Sequence, residues 1–153
     1  HNNPPPVSLE GMPCIHTAPS LRKVGDKWEK ICVGTTTSTR MDRFTPGLIG
    51  QYGVRAIIGK GSLYQGSLDA MQKYGAVYLA IVGGAAALET EQIEEVEAVY
   101  FEELHPEALY RFRVKNFGPL TVAMDSHGVH LYDQVTENVK KKLPEIYAKL
   151  GVL

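Results

Sequence analysis

The residues best suited to chemistry lie in one short stretch, residues 34–42, with the sequence GTTTSTRMD. This stretch follows an apolar run that predicts a strand, and a strand-to-helix turn leaves backbone N–H groups free to bind an anion. Thr36 carries a hydroxyl, and Arg40, four residues later, carries a guanidinium that can hold a carboxylate through two parallel hydrogen bonds. The stretch therefore predicts a carboxylate site in which Thr36 is a candidate general base or hydrogen-bond donor.

A second turn of the same design follows about twenty residues later. Residues 54–58 predict a β-branched strand, and Gly59, Lys60 and Gly61 follow it directly. Flanking glycines let a ligand approach the backbone, and Lys60 supplies a cation. Two such turns side by side would bind a small dianion. The residues expected to support the turns are Gly34, Thr37, Gly59 and Gly61.

Each of these features has a structural alternative. Threonine and serine before a helix commonly cap it, and a threonine hydroxyl is a poor base unless its surroundings activate it. Arg40 could instead pair with Asp42 or Glu102. Residues 125–127 hold the residue types of a hydrolase triad, but neighbours in sequence cannot all face one nucleophile, so a turn is predicted there. Three histidines lack metal-ligand spacing and are expected in the core or in solvent: His16, His105 and His130.

Composition narrows the class of protein. The 153 residues fit a single domain, 1–153, with an extended proline-rich lead-in at residues 1–8. The 16 basic and 17 acidic residues give a net charge of -1, which argues against a nucleic acid or an anionic membrane as the main partner. No apolar run reaches the roughly 18 residues that span a bilayer. Cys14 and Cys32 are expected to be buried, reduced thiols of a cytoplasmic protein, and they are too few to hold an iron–sulfur cluster alone.

Hydrophobic periodicity predicts an α/β layered domain with a mixed sheet. The predicted strands are residues 13–17, 28–33, 54–58, 76–82, 96–102, 109–114 and 120–124. The predicted helices are residues 42–52, 63–73 and 132–150, and Pro46 is expected to interrupt or start the first of them. Pro144 is expected to kink or restart the last helix. The charged runs at 89–97 and 140–142 are expected to be exposed.

Together these motifs resemble the β subunit of two-subunit class I (iron–sulfur) fumarate hydratases, which is equivalent to the C-terminal domain of single-chain forms. The β subunit of L-tartrate dehydratase is closely related. The similarity begins near Leu9 and covers nearly the whole chain. It rests on GTTTSTRMD, VRAIIGKGSL, AIVGGAAAL, VEAVYFEELHPEALYRFRVKNFGPLTVAMDSHG and KKKLPEIYAKLGV. The long fourth stretch is closer to the fumarase side of the family.

The resemblance implies a swivelling β/β/α domain that docks on a larger α subunit, expected as an α2β2 heteromer. It also implies that the α subunit holds a [4Fe-4S] cluster, whose open iron polarises the leaving hydroxyl of (S)-malate, and that this chain binds no metal itself. By position, Thr36 corresponds to the threonine proposed as the base for the C3 proton. Arg40 and Lys60 correspond to the cations that bind the carboxylates of the dicarboxylate substrate.

The expected function is therefore one half of a hydro-lyase that interconverts fumarate and (S)-malate and is active only with its α subunit. The motifs leave two alternatives open. One is the β subunit of an L-tartrate dehydratase or of another 2-hydroxy-diacid dehydratase, which needs the same cations and base. The other is a non-catalytic module for dianion binding or assembly, in which Thr36 is only a cap.

Two features depart from the family pattern. The family usually has proline after the first glycine of the turn, where this chain has Thr35, and the change is expected to loosen the turn. Family members also carry an upstream Arg-Asp-x-x-His segment whose arginine binds substrate. The 153 residues do not include it, and His1 is either its remnant or a tag residue. Without that arginine, the activity of the isolated sequence is in doubt.

Overall fold

The structure is a computed structural model that describes residues 4–152, so His1 and the start of the predicted lead-in lie outside it. Eight strands run in chain order as β1 (Pro13–Ile15), β2 (Ser20–Val24), β3 (Lys27–Cys32), β4 (Ala56–Gly59), β5 (Val77–Ile81), β6 (Ile93–Tyr100), β7 (Leu109–Val114) and β8 (Leu120–Met124). The α-helices are α1 (Thr45–Gly50), α2 (Gln65–Tyr74), α3 (Ala86–Glu91) and α4 (Leu131–Leu150). Two 3₁₀ segments span Ser38–Phe44 and Glu102–Glu107.

The central sheet has four strands in the order β1-β4-β5-β8. The first three are parallel to one another, and β8 runs antiparallel at the edge next to β5. The buried run at Ile57 and Ile58 is typical of a parallel strand covered on both faces. Because parallel strands end at the same edge, the segments that follow β1, β4 and β5 come together there. Ligands bind at this edge in open α/β sheets. The mixed α/β fold predicted from the sequence is confirmed.

Two antiparallel strand pairs lie outside the central sheet. The β2–β3 hairpin turns at Gly25, whose φ of +60° is accessible to glycine. The β6–β7 hairpin forms its own two-stranded sheet. All seven predicted strands are present, two of them with the predicted ends and five with shifted ends. The β2 strand was not predicted, because its SLRKV sequence is mostly polar and mostly exposed.

The hydrophobic core lies between the central sheet and the helices α1 and α2. Tyr78 and Met124 from the sheet pack with Ile49 of α1 and Met71 of α2, and each of these side chains is at most 1% exposed. The α2 helix ends at Gly75, where φ is +72°, the left-handed conformation in which glycine commonly ends a helix. The α1–α2 layer therefore covers one face of the strands that lead into the predicted site.

The segment 42–52 is interrupted near Pro46, as predicted: the end of a 3₁₀ segment precedes α1, and Pro46 lies in the first turn of α1. The expectation that Cys32 is buried is wrong. Cys32 is exposed, because β3 belongs to a hairpin and not to the central sheet. The last helix does not restart at Pro144, since it is continuous from Leu131 to Leu150.

Two further predictions for the C-terminal part of the chain agree with the structure. Asp125 Oδ1 accepts hydrogen bonds from the backbone N–H groups of His127 and Val129, which makes the predicted turn. Residues 140–142 are exposed on α4, as predicted. Within the described part of the chain, no helix is both long and apolar enough to cross a membrane.

Candidate functional site

The two cationic turns, which are residues 34–42 (the first turn) and residues 59–61 (the second turn), lie side by side. Thr37 and Lys60 form a parallel β-bridge, and the Ser38 N–H donates a 2.8 Å hydrogen bond to the Lys60 carbonyl. A third segment joins them where β1 ends, because the Thr36 N–H donates to the carbonyl of His16 at 2.8 Å. The spacing of the sequence predicted two turns of similar design, and the pairing of the backbone brings them to one edge of the sheet.

Thr36 and Arg40 contact each other within the first turn. The Arg40 Nη2 donates a short hydrogen bond to the Thr36 Oγ1, and the Thr36 side chain is half-buried. The residue in the N-cap position of the following 3₁₀ segment is Thr37, and its side chain makes no capping hydrogen bond. Thr36 is therefore not the helix cap that the structural alternative requires.

The alternative partners of Arg40 are engaged elsewhere. Asp42 Oδ1 accepts a 2.7 Å hydrogen bond from the Ser67 hydroxyl in α2, and Glu102 pairs with Lys23 at 2.9 Å. Within residues 4–152, Arg40 has no acidic side chain within ion-pair distance. Its remaining N–H groups are available to a ligand carboxylate, since a guanidinium has five donors.

Lys60 supplies the second cation of the site. Its side chain is half-buried and, like Arg40, forms no ion pair within the described range. The stem of Lys60 passes the end of β5, where a Cβ placed on Gly83 would lie 3.9 Å from the Lys60 Cδ. Gly61 adopts a φ of +76°, which a residue with a side chain rarely adopts. The turn therefore presents a cation beside two glycine-containing loops.

Glu89 is a buried carboxylate that the sequence reading missed. It is 1% exposed, so the expectation that residues 89–97 are all exposed is wrong at this position. Its Oε2 accepts a 3.0 Å hydrogen bond from the Thr35 N–H. Burial raises the pKa of Glu89, and both the Thr35 hydrogen bond and the attraction of Lys60 oppose that shift. Helical spacing from Ala86, three residues earlier, was the signal that could have placed Glu89 on the inner face of α3.

The hydrogen bond to Glu89 gives the backbone N–H of Thr35 a structural role. Proline, which the family resemblance would place at this position, has no N–H and could not donate to Glu89. Thr35 therefore makes a hydrogen bond that proline could not make. Thr35 itself is buried, with 7% of its surface exposed.

A buried polar cluster lies beneath the turns. The Ser38 Oγ is 3.0 Å from the His16 Nδ1 and 3.0 Å from the Tyr78 Oη, and the Tyr78 hydroxyl donates to the Gly61 carbonyl at 2.8 Å. Burial lowers the pKa of His16 to about 4 and raises the pKa of Tyr78 to about 12, so both side chains are neutral at pH 7. The three histidines were expected in the core or in solvent, and the structure places His16 and His130 in buried positions and His105 in an exposed one.

Two of the expected supporting glycines are required by close packing. A Cβ on Gly59 would lie 1.9 Å from the Ser38 Oγ, and a Cβ on Gly34 would lie 2.8 Å from the Ala86 Cβ. Both distances are shorter than side-chain contacts in proteins allow. Gly59 thus lets the first turn pack onto β4, and Gly34 lets it pack onto α3.

The described residues provide no group of three or more His, Cys, Asp or Glu side chains that could hold a metal ion. Cys14 lies on β1 of the central sheet, where burial raises the pKa of its thiol to about 11. Cys32 lies at the end of β3 in the hairpin. These donors do not fit the ligand set of a [4Fe-4S] cluster, so we assign no cluster ligand to this chain.

Comparison with known proteins decides the family. A family model described as "Fumarase C-terminus" matches residues 1–135. The chain belongs to this family. It is 42% identical over 143 residues to a protein of Methanocaldococcus jannaschii named "Putative L(+)-tartrate dehydratase subunit beta", and the match covers 92% of this chain and 73% of the relative.

Other members of the family show the same relationship. The chain is 43% identical over 138 residues to the "L(+)-tartrate dehydratase subunit beta" of Escherichia coli K12, with 90% of this chain and 67% of the relative covered. It is 37% identical over 142 residues to the "Putative fumarate hydratase class I" of Geobacillus stearothermophilus, with 92% and 27% covered. The predicted resemblance is confirmed: this fumarase C-terminal domain is of the β-subunit type within the fumarate hydratase/tartrate dehydratase family of hydro-lyases.

Proposed function

We propose that this chain is the β subunit of a hydro-lyase that interconverts fumarate and (S)-malate, with an active site completed by an α subunit. The observation that carries the proposal is the pairing of Thr37 with Lys60. This pairing gathers Thr36, Arg40 and Lys60 at the edge of the sheet where ligands bind. Family membership limits the reaction to a hydro-lyase, and the two cations select a substrate with two carboxylates.

The two cations have different parts in substrate binding. Arg40 is exposed and can hold one carboxylate through two parallel N–H donors while another N–H stays on the Thr36 hydroxyl. Lys60 acts as a point charge for the second carboxylate. Neither cation has an acidic side chain within ion-pair distance in residues 4–152, so neither must first break an ion pair.

Thr36 is proposed to move the proton. In the direction from (S)-malate, its Oγ1 takes the proton from C3 while the C2 hydroxyl leaves, which gives fumarate and, after the proton is returned, water. The Arg40 guanidinium donates to the same oxygen and so favours its ionised form. The Thr36 N–H bond to the His16 carbonyl fixes the backbone that carries the base.

The partner is proposed to be a cluster-bearing α subunit in an α2β2 heteromer in the cytoplasm. Two relatives carry the words "subunit beta" in their names, which supports a partner of this kind. When bound to the α subunit, the [4Fe-4S] cluster would supply the Lewis acid for the leaving hydroxyl. This chain would supply the carboxylate-binding cations and the proton acceptor from the other side of the substrate.

A second candidate is L-tartrate dehydration. It is favoured by the names of the two relatives that are 42% and 43% identical to this chain. Tartrate is also a dianion with a hydroxyl next to each carboxylate, so Arg40, Lys60 and Thr36 would serve it equally well. The difference between the two substrates is one hydroxyl, and a substrate panel separates them.

The test is reconstitution with the candidate α subunit under anaerobic conditions, followed by an absorbance assay for fumarate and a parallel assay with L-tartrate. The proposal predicts turnover of (S)-malate that Thr36→Ala abolishes. The matched control is Thr121→Ala, at an exposed position on β8. Turnover of tartrate alone would select the second candidate. A stable complex with neither activity would leave a binding or assembly module.

A further inference from the structure

Three buried side chains join the ends of the strands beneath the site. His16 follows β1, Ser38 lies in the first cationic turn, and Tyr78 lies on β5. Their exposed fractions are 4%, 0% and 0%, respectively. The contacts run from the His16 Nδ1 to the Ser38 Oγ at 3.0 Å, on to the Tyr78 Oη at 3.0 Å, and on to the Gly61 carbonyl at 2.8 Å.

The number of available protons fixes the direction of these three hydrogen bonds. The Gly61 carbonyl can only accept, so the single proton of Tyr78 is donated to it. The contact between Tyr78 and Ser38 must then use the proton of Ser38. Because Ser38 has no second proton, its contact with His16 must use a proton on the His16 Nδ1. A neutral histidine with its proton on Nδ1 has a bare lone pair on Nε2.

The surroundings of His16 agree with this assignment. Its Nε2 is buried and has no hydrogen-bond partner within the described part of the chain. An unpaired buried acceptor is tolerated better than an unpaired buried donor, so the opposite tautomer would place an N–H in the more costly position. The opposite tautomer would also leave one of the three contacts without a proton. Burial keeps the ring neutral at pH 7, since its pKa is lowered to about 4.

We propose that His16, Ser38 and Tyr78 form a hydrogen-bond relay of fixed direction, from His16 to the Gly61 carbonyl, that positions Thr36, Arg40 and Lys60 for the reaction. The proposal deepens the proposed function and rests on it for its catalytic part. None of the three relay members is proposed to touch the substrate. They are positioning residues that act through the two turns.

Each end of the relay controls a different part of the site. Ser38 lies midway between Thr36 and Arg40, and its own N–H donates to the Lys60 carbonyl at 2.8 Å. At the Tyr78 end, the relay fixes the carbonyl of Gly61, the residue after Lys60, and so orients the Lys60 side chain towards a carboxylate. At the His16 end, it fixes the residue whose carbonyl accepts from the Thr36 N–H, which orients the base.

The direction of the relay can be measured without activity. In the full chain labelled with ¹⁵N-histidine, long-range ¹H–¹⁵N correlation spectra at pH 7 distinguish the two neutral tautomers. The relay predicts the Nδ1–H form for His16. An Nε2–H form would overturn the proposal, and so would a charged ring. Because the measurement uses the unchanged chain, it does not depend on any variant folding, and a failure of the hydro-lyase assay would leave it intact.

The positioning role is tested in the reconstituted complex. We expect Tyr78→Phe to raise KM for (S)-malate at least tenfold while kcat changes less than threefold. Tyr147→Phe, at an exposed position on α4, is the control. A merely structural role would reduce the amount of folded enzyme, lowering kcat and leaving KM unchanged, and that result would contradict the proposal.

His16 allows a rescue experiment, because its two nitrogens can be mimicked separately. The amide nitrogen of asparagine takes the position of Nδ1, and that of glutamine takes the position of Nε2. The relay predicts that His16→Asn keeps kcat within threefold and that His16→Gln lowers it at least tenfold, at equal folded content by circular dichroism. Equal kcat values for the two variants, or rescue by glutamine alone, would overturn the assigned direction.

Discussion

The hydrogen bond from the Thr35 N–H to Glu89 predicts strong coupling between two positions that are 54 residues apart. Glu89→Ala removes the acceptor and leaves a buried N–H without a partner. Leaving a buried donor unsatisfied costs about 1–3 kcal/mol. Thr35→Pro alone removes the donor and leaves the carboxylate buried without it, at a similar cost. Each single variant is therefore expected to lower the free energy of unfolding by about 2 kcal/mol.

The double variant is expected to recover most of this loss. With proline at position 35, no N–H remains to be satisfied, and with alanine at position 89, no carboxylate remains buried. The two single losses of about 2 kcal/mol each add to about 4 kcal/mol, so a double variant that loses only about 1 kcal/mol implies a coupling energy of about 3 kcal/mol between Thr35→Pro and Glu89→Ala.

The assay is urea unfolding of the full chain, with circular dichroism as the signal. In a thermal melt of a domain of this size, the same loss of about 2 kcal/mol in the free energy of unfolding would lower Tm by roughly 4–8 °C. Glu91→Ala is the matched control, because Glu91 lies on the same helix and is exposed, and it should change stability by less than about 0.5 kcal/mol. Additive losses, with the double variant the least stable of the three, would refute the reasoning.

Three further predictions concern Gly59, His16 and the two thiols. Gly59→Ala places a Cβ 1.9 Å from the buried Ser38 Oγ, so it should destabilise the chain by about 1–3 kcal/mol, and an unchanged urea midpoint would contradict this. Burial lowers the pKa of His16 from 6.5 to about 4, because it favours the neutral ring in the folded chain. Above pH 6.5 the ring is neutral in both the folded and the unfolded chain. As the pH falls towards 4, protonation of the unfolded chain lowers the free energy of unfolding by roughly 3 kcal/mol. The pH dependence of urea unfolding checks this, and His16→Asn should flatten it. A maleimide at pH 8 should label exposed Cys32 but not Cys14, whose pKa is raised to about 11; equal labelling by mass spectrometry would contradict the burial of Cys14.

The sequence predicted the parts of the site but not the contacts among them. Thr36, Arg40 and Lys60 are predicted site residues because each lies in a turn with a local signal of glycines, hydroxyls and a cation. Their proximity depends on the parallel pairing of β1, β4 and β5, which no local sequence pattern specifies.

The residues that were missed share a different cause. His16 and Tyr78 meet Ser38 from 22 and 40 residues away, so no short motif contains the relay. Glu89 begins an acidic stretch that predicts exposure, and the other acidic side chains of that stretch are exposed, but Glu89 itself is buried. Cys32 was assigned to the core because its strand is apolar, whereas that strand forms a hairpin outside the central sheet. In each case tertiary packing overrode a local pattern.

The central claim is that Arg40 binds a carboxylate of the substrate at the site that Thr36 and Lys60 share. The most direct test compares kcat/KM for Arg40→Ala and Arg43→Ala in the reconstituted complex. Arg43 is an exposed arginine of the same 3₁₀ segment, with its guanidinium 4.5 Å from the Phe44 ring, and serves as the control.

Losing two charge-assisted hydrogen bonds to a carboxylate costs roughly 3–5 kcal/mol. The account therefore predicts that Arg40→Ala lowers kcat/KM by about 10²- to 10³-fold or more, while Arg43→Ala changes it by less than about threefold. Equal and small effects of the two substitutions would remove Arg40 from the site and contradict the account.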